Sequence, residues 1–446
     1  MPGHRLLRLV AVLLLLLLLP SGCDWIESML PSKKKPPLPG VRIAVMITER
    51  DLEPDPKVAD LRVMLPKPYV NAAWPQTGGV PTHAMYHLAL APSPKKIWQV
   101  DIGDGSTKGR KLMTRPVVAD GRVYAMDLNF VISAYNADTG KRIWRYRPKM
   151  PPQDDGTFGG GLAYNRGRLY VTTGYGEVLS LDAKTGRPAW TQTIAGPMRA
   201  APTIAGGRLY VVTIDNELHV LDADTGEKKW THSAISESAG LLGDGAVAVE
   251  GSTVVVPYTS GEIFAIRAEN GRVVWSDNLT AIRRVDAMAS LAHIRASPVI
   301  DRGIVYAISH SGRFVAIDQR SGARIWERSI GGVDMPWVAG DFIFVVSNDN
   351  ELYCLTRRGG RVRWVTPLPR YENPKKKKGT ILWAGPVLAG NRLVLTGSQG
   401  EVMTVSPYTG EPLGRMSVPD DIFLPPVVAN GTIYFLDDDA ELIAYR

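Results

Sequence analysis

Residues 200–231 read A-A-P-T-I-A-G-G-R-L-Y-V-V-T-I-D-N-E-L-H-V-L-D-A-D-T-G-E-K-K-W-T. Three breaks divide the stretch into four short segments: Gly206-Gly207, the polar Ile214-Asp215-Asn216, and Asp224-Thr225-Gly226. The segments alternate or run apolar and are rich in Val, Leu, Ile and Tyr, the pattern of strands. A Gly or Asn at each break supplies the positive φ of a tight hairpin. One such unit is a four-stranded meander that cannot bury both faces alone, so it needs neighbours of its own kind.

The unit repeats. A small residue and a Gly are followed four positions later by Trp at Thr139-Gly140 with Trp144, Thr185-Gly186 with Trp190, and Thr225-Gly226 with Trp230. Asn270-Gly271 with Trp275, Ser321-Gly322 with Trp326, and Gly359-Gly360 with Trp364 continue the series. A seventh copy, Thr409-Gly410, has Gly414 in the Trp position. A period of about 40–50 residues with four strands per unit predicts a β-propeller. Residues 95–102, K-K-I-W-Q-V-D-I, form a fourth strand without its first three, and Trp98 precedes Trp144 by one repeat length. Residues 425–446 supply three strands and stop where the fourth would begin. The two partial units complement each other, which predicts an all-β, eight-bladed propeller of four-stranded antiparallel blades, closed by pairing an N-terminal strand with the last blade. Blades are expected near 103–148, 156–194, 198–234, 244–280, 295–331, 334–368 and 382–418, and at 424–446 with 95–102. Trp98, Trp144, Trp190, Trp230, Trp275, Trp326 and Trp364 are expected to be packing anchors between neighbouring sheets.

The chain has 446 residues, a formal net charge of +8 and 22% charged residues, which suits a globular protein with some preference for acidic partners. No basic helix with interleaved aromatics argues for nucleic acid. Of the two cysteines, Cys354 lies in a strand segment and reads as a small buried hydrophobe. No CxxC, vicinal pair or haem motif occurs. His83 and His87 stand i, i+4 apart, but without an HExxH context or an acidic third ligand no metal site is expected.

The domain boundaries follow from composition. Residues 1–22 combine a basic start, an apolar run at 9–19 and small residues, the order of an export signal. Leu19-Pro20-Ser21-Gly22-Cys23 resembles a bacterial lipobox, with Pro20 where that motif usually carries Leu. Acylation of Cys23 would anchor the chain to a membrane. Asp24 bears on whether that membrane is the inner or the outer one. Residues 23–94 form a tether and extension, basic and Pro-rich at 33–39, with a strand expected at 41–48 and an ordered loop at 71–79. The propeller occupies 95–446. Within it, 233–245, 280–295 (with Arg283, Arg284, Asp286 and Arg295) and 369–379 (with Lys375 to Lys378) are the irregular connections, the last expected to be a solvated loop.

The A-D-T-G-x-x-x-W run at 223–230 is a compressed form of the repeat of pyrroloquinoline-quinone (PQQ) dehydrogenases, and the resemblance covers residues 95–446. It implies an eight-bladed propeller, and raises a dehydrogenase alternative with calcium and a catalytic Asp. The adjacent cysteines of many such enzymes are absent here, and there is little room for their pocket-building insertions. The same repeat behind a lipobox resembles the BamB family, lipoproteins of the β-barrel assembly machinery (the Bam complex) of Gram-negative bacteria. That resemblance implies a non-enzymatic scaffold without cofactor, lipid-anchored and periplasm-facing, more at the outer membrane than the inner. Its implied partners are the periplasmic domains of the central barrel subunit and unfolded outer-membrane proteins. The family's docking face corresponds to 233–245 and 280–295. There Glu237, Ser238 and Ala239 match the family, Ile235 stands where it carries Arg, and His293 and Arg295 stand at its acidic positions. A third reading is a lipoprotein that binds cell-wall components.

Overall fold

The computed structural model describes residues 52–149, 159–237, 243, 245–280 and 293–446. The signal segment, Cys23, the basic Pro-rich stretch, the strand expected at 41–48, and Ser238, Ala239, Arg283, Arg284 and Asp286 lie outside the described residues.

The stretch at 200–231 folds as its pattern predicts. Its strands are Thr203–Ala205, Arg208–Val212, Glu217–Asp222 and Lys228–Ser233, each antiparallel to the next. Positive φ falls on Gly206, Gly207, Asn216 and Gly226, the residues that tolerate it best. The two middle strands are buried almost throughout, and the outer strand shows one side to solvent.

Eight such sheets form the ring. The strands of blades 1 to 7 span 117–146, 160–193, 203–233, 248–278, 299–328, 337–367 and 383–417. Blade 8 joins Val427–Ala429, Thr432–Leu436 and Glu441–Tyr445 to Lys96–Asp101. Val100 faces Leu442 across that antiparallel pair, and Lys95 and Arg446 exchange backbone hydrogen bonds of 2.8 and 2.9 Å. The first and last parts of the propeller thus share one sheet. Cys354 is buried in the third strand of blade 6, and burial pushes its thiol pKa up.

Successive blades are held by one repeated clasp. In every blade but the seventh, the Trp of the outer strand lies against the Gly in the next blade's turn between third and fourth strands. A Cβ on Gly226 would stand 2.7 Å from the Trp190 ring, and φ there is +77°, so glycine is required twice over. The indole N–H donates to a carbonyl three residues before that Gly: Trp98 to Ala137 (3.0 Å), Trp190 to Ala223 (3.1 Å), Trp230 to Ala268 (3.0 Å), and likewise for Trp144, Trp275, Trp326 and Trp364. The Gly and the Trp of one repeat therefore serve two different junctions. The Gly receives the preceding blade's ring, and the Trp reaches the following blade.

The innermost strands are mostly three residues long and turn a backbone edge toward the axis. Groups on that edge need partners. Residues 69–90 supply them while winding once round the axis in ring order. Asn430 N–H donates to the Asn71 carbonyl at 2.7 Å in blade 8. Trp74 and Val118 of blade 1 exchange bonds of 2.7 and 3.0 Å. Tyr164 N–H of blade 2 donates to Pro75, and Ile204 N–H of blade 3 to the buried Gln76 side chain at 2.9 Å. Val249 of blade 4 donates to Pro81 and Ile300 of blade 5 to Thr82. The Trp337 indole of blade 6 donates to Tyr86 at 2.6 Å, and Gly390 of blade 7 to Leu88 at 2.9 Å. His83 and His87 are not helical neighbours. His83 has φ +63°, and its Nδ1 lies 2.7 Å from the Pro298 carbonyl. His87 donates through Nδ1 to Pro66 and accepts Asn391 N–H at Nε2, an arrangement that only the neutral ring can make.

Candidate functional site

The axial winding meets the ring at the end bearing the turns between first and second strands. The connections from one blade to the next lie at the opposite end, and the irregular ones gather there. The first leaves blade 3 at Ser233. Its start is stitched down: Ala234 N–H donates to the Asn216 carbonyl, and the Asn216 amide to the Ile235 carbonyl at 2.6 Å. Ile235 is 63% exposed, and Glu237 is also exposed. The connection returns through Gly243, where a Cβ would stand 2.7 Å from both Arg295 Nε and Met113 Cε. It then passes to Ala246, whose N–H donates to Ser297 Oγ at 3.1 Å.

The second connection re-enters the described residues at His293. The structure therefore brings Arg295 of one expected docking segment against Gly243 of the other. His293 lies beneath the surface, 1% exposed. Its carbonyl accepts His310 N–H at 3.0 Å. Burial, then the cationic Arg199 and Arg295 and the neighbouring His310, push its pKa down to about 3. His293, expected among the partner-binding residues, is thus neutral and buried in this structure. Arg199 donates to the Pro257 carbonyl at 2.7 Å and is buried.

The third connection, between blades 6 and 7, is an ordered hairpin of Tyr371–Asn373 and Lys378–Thr380, where a loop was expected. It holds Lys375, Lys376, Lys377 and Lys378 in the open at the same end of the ring. Deeper along the axis, Trp74 stacks on Trp337 with centroids 6.2 Å apart. The space left beside them, near Arg115 and Asp334, is about 10 Å³, room for about one water. Among the described residues no three His, Cys, Asp or Glu side chains stand close enough together to hold a metal ion. Sequence reasoning did not foresee the approach of Gly243 to Arg295, because a glycine in a long connection carries no periodic signal.

A Trp-clasped, eight-bladed ring closed by its own N-terminal strand defines a propeller of the PQQ-repeat class. The family model described as "Outer membrane protein assembly factor BamB" matches residues 88–154 and 128–366. The Salmonella typhimurium protein of that name is 32% identical over 360 residues, covering 79% of this chain and 88% of the relative. The chain belongs to the BamB family. Among solved structures, BamB from Moraxella catarrhalis aligns with a TM-score of 0.66 at 18% identity, over 79% of this chain and all of that one. A quinohemoprotein alcohol dehydrogenase from Pseudomonas putida HK5 reaches the same TM-score at 14% identity, over 84% of this chain and 80% of that one. These two likenesses concern the fold alone.

Proposed function

We propose that this chain is a non-catalytic lipoprotein that assists the assembly of β-barrel proteins into the outer membrane. It is anchored through Cys23, faces the periplasm, and divides as signal segment 1–22, tether and extension 23–94, and propeller 95–446. Its mechanism is binding. The loop-bearing end grips the periplasmic domains of the central barrel subunit, and unfolded outer-membrane proteins are its clients. The observation that carries the reading is the approach of Gly243 to Arg295, which makes one surface of two connections separate in sequence. Glu237, Ser238, Ala239 and Arg295 are the contact residues, with His293 as their support. The charges differ from the family's, so the partner's face is expected to differ in the complementary sense.

Arg295→Glu combined with Glu237→Arg tests this. Co-purification with the barrel subunit from solubilised membranes is expected to be lost while the melting temperature is kept; undiminished recovery would place the contact elsewhere. On the same reading, adding PQQ and Ca²⁺ with alcohols or sugars produces no dye reduction.

A further inference from the structure

Seven of the eight blade junctions are filled by a Trp ring, and the junction between blades 7 and 8 is not. Gly414 holds the Trp position on the outer strand of blade 7 (Pro412–Ser417). The second strand of that blade departs too. Blades 1, 2, 3, 5, 6 and 8 place Tyr124, Tyr170, Tyr210, Tyr306, Phe344 and Tyr434 beside their Trp, with ring centroids 5.8 to 6.5 Å apart. Blade 7 has Val394 there. With two rings missing, the neighbours do not close in. A cavity of about 410 Å³ remains, open to solvent and walled by Leu90, Val402, Leu413, Ile433, Phe435 and Tyr445 among others.

Nothing in the backbone calls for this Gly. Gly414 lies outside the left-handed region, and a Cβ there would meet nothing nearer than Thr404 Oγ1 at 3.7 Å. Gly410, in the same blade, is the opposite case, with φ +79° and its face against Trp364. The side chain missing at 414 is therefore space without a conformational reason.

We propose that this gap receives one aromatic side chain of an extended polypeptide partner. Its strand positions are those that flank an indole at the other seven junctions, with Leu90, Pro92, Ser93 and Pro94 lining it in place of a Gly-bearing turn, and its volume is that of a binding pocket, about 300–1,000 Å³. Arg392 and Arg415 stand at its rim. Arg415 is held by Glu401 at 3.1 Å and Arg392 by the carbonyls of Ala91 and Pro92, so both guanidinium groups are fixed where an entering π-face meets them. The gap opens along the outer strand of blade 7, beside which no further strand lies among the described residues. An extended segment can follow that edge with main-chain bonds and insert one side chain, the division of labour of strand addition. At the other junctions an indole N–H finds a carbonyl. Here blade 8 has no turn between its third and fourth strands to supply that carbonyl, and Arg446 stands level with Asp222 of blade 3, not with the accepting Ala223. The gap therefore recognises the apolar body of a ring, and Trp, Tyr and Phe all qualify. This site is separate from the loop-bearing end and does not depend on its assignment.

The test uses the full chain and ten-residue peptides of alternating apolar and polar residues, identical except for a central Trp, Phe or Ser, titrated by fluorescence anisotropy. Saturable binding of the Trp and Phe peptides is expected, at least tenfold tighter than the Ser peptide. Gly414→Trp, which fills the gap from within, should weaken both aromatic peptides at least tenfold and leave co-purification with the barrel subunit intact. Val394→Tyr narrows the same gap from the other wall and serves if the first variant does not fold. Equal affinity for the three peptides, no binding of any, or unchanged affinity in a folded filled variant overturns the proposal. So does saturable binding of free indole without binding of the Trp peptide.

Discussion

His293 shows how burial sets the chemistry of a single residue at the loop-bearing end. Its folded pKa, about 3, lies below the ordinary 6.5. Between those values the unfolded chain binds a proton that the folded chain does not. Stability from this group is therefore complete above pH 6.5 and is lost progressively as pH falls toward 3. Between pH 7 and pH 5 the loss is on the order of 2 kcal/mol. His293→Gln is expected to remove that component, so its unfolding free energy should fall less than the wild type's over this interval in urea titrations at the two pH values. Equal falls would mean that His293 is already protonated or reaches solvent. The sequence marks His293 by its place in a connection, but burial of a loop residue depends on what folds over it. Arg199, two blades away in sequence, is part of that setting, and no local pattern announces it.

The element that decides the fold is the clasp between blades. Trp230 packs against Gly271 and donates to Ala268. Trp230→Ala removes the ring and the hydrogen bond together, and is expected to cost about 3 kcal/mol, read as a lower melting temperature. Gly271→Ala should destabilise in the same direction, because φ is +76° and the new Cβ would stand 2.8 Å from the ring. A full-stability Gly271→Ala would show that the turn relaxes away from the ring. The clasp was legible in sequence because it needs two particular residue types at fixed spacing, and ring closure was legible because each half-repeat lacks what the other has. The winding at 69–90 was not. It meets most blades through backbone groups, which any residue supplies, and its bonding side chains, among them Asn71, Gln76, His83 and Tyr86, stand at irregular spacing, so it leaves no periodicity. The Gln76 side chain accepts from the inner-edge amide of Ile204. Gln76→Ala is expected to leave the Ile204 amide without its acceptor, raising its hydrogen-exchange rate and costing about 1–3 kcal/mol. An unchanged rate would mean another group takes over.

For the whole molecule, the winding changes what kind of polymer the propeller is. A ring of repeats that touch only their neighbours behaves as a nearest-neighbour chain: each unit has its own stability, and damage stays local. Here one strip of chain bonds to every blade. It acts as a common hub, so a blade that opens also loosens the strip from the seven others. Denaturant unfolding followed by Trp fluorescence and by far-ultraviolet circular dichroism should therefore give one coincident transition. Deleting 69–90 should separate the two curves; coincidence after the deletion would assign the cooperativity to the clasps alone. The hub also imposes an order on folding. A strip that needs eight partners gains little from the first few, so it settles only when the ring is nearly complete. In this chain, a segment made before the array is among the last to find its place.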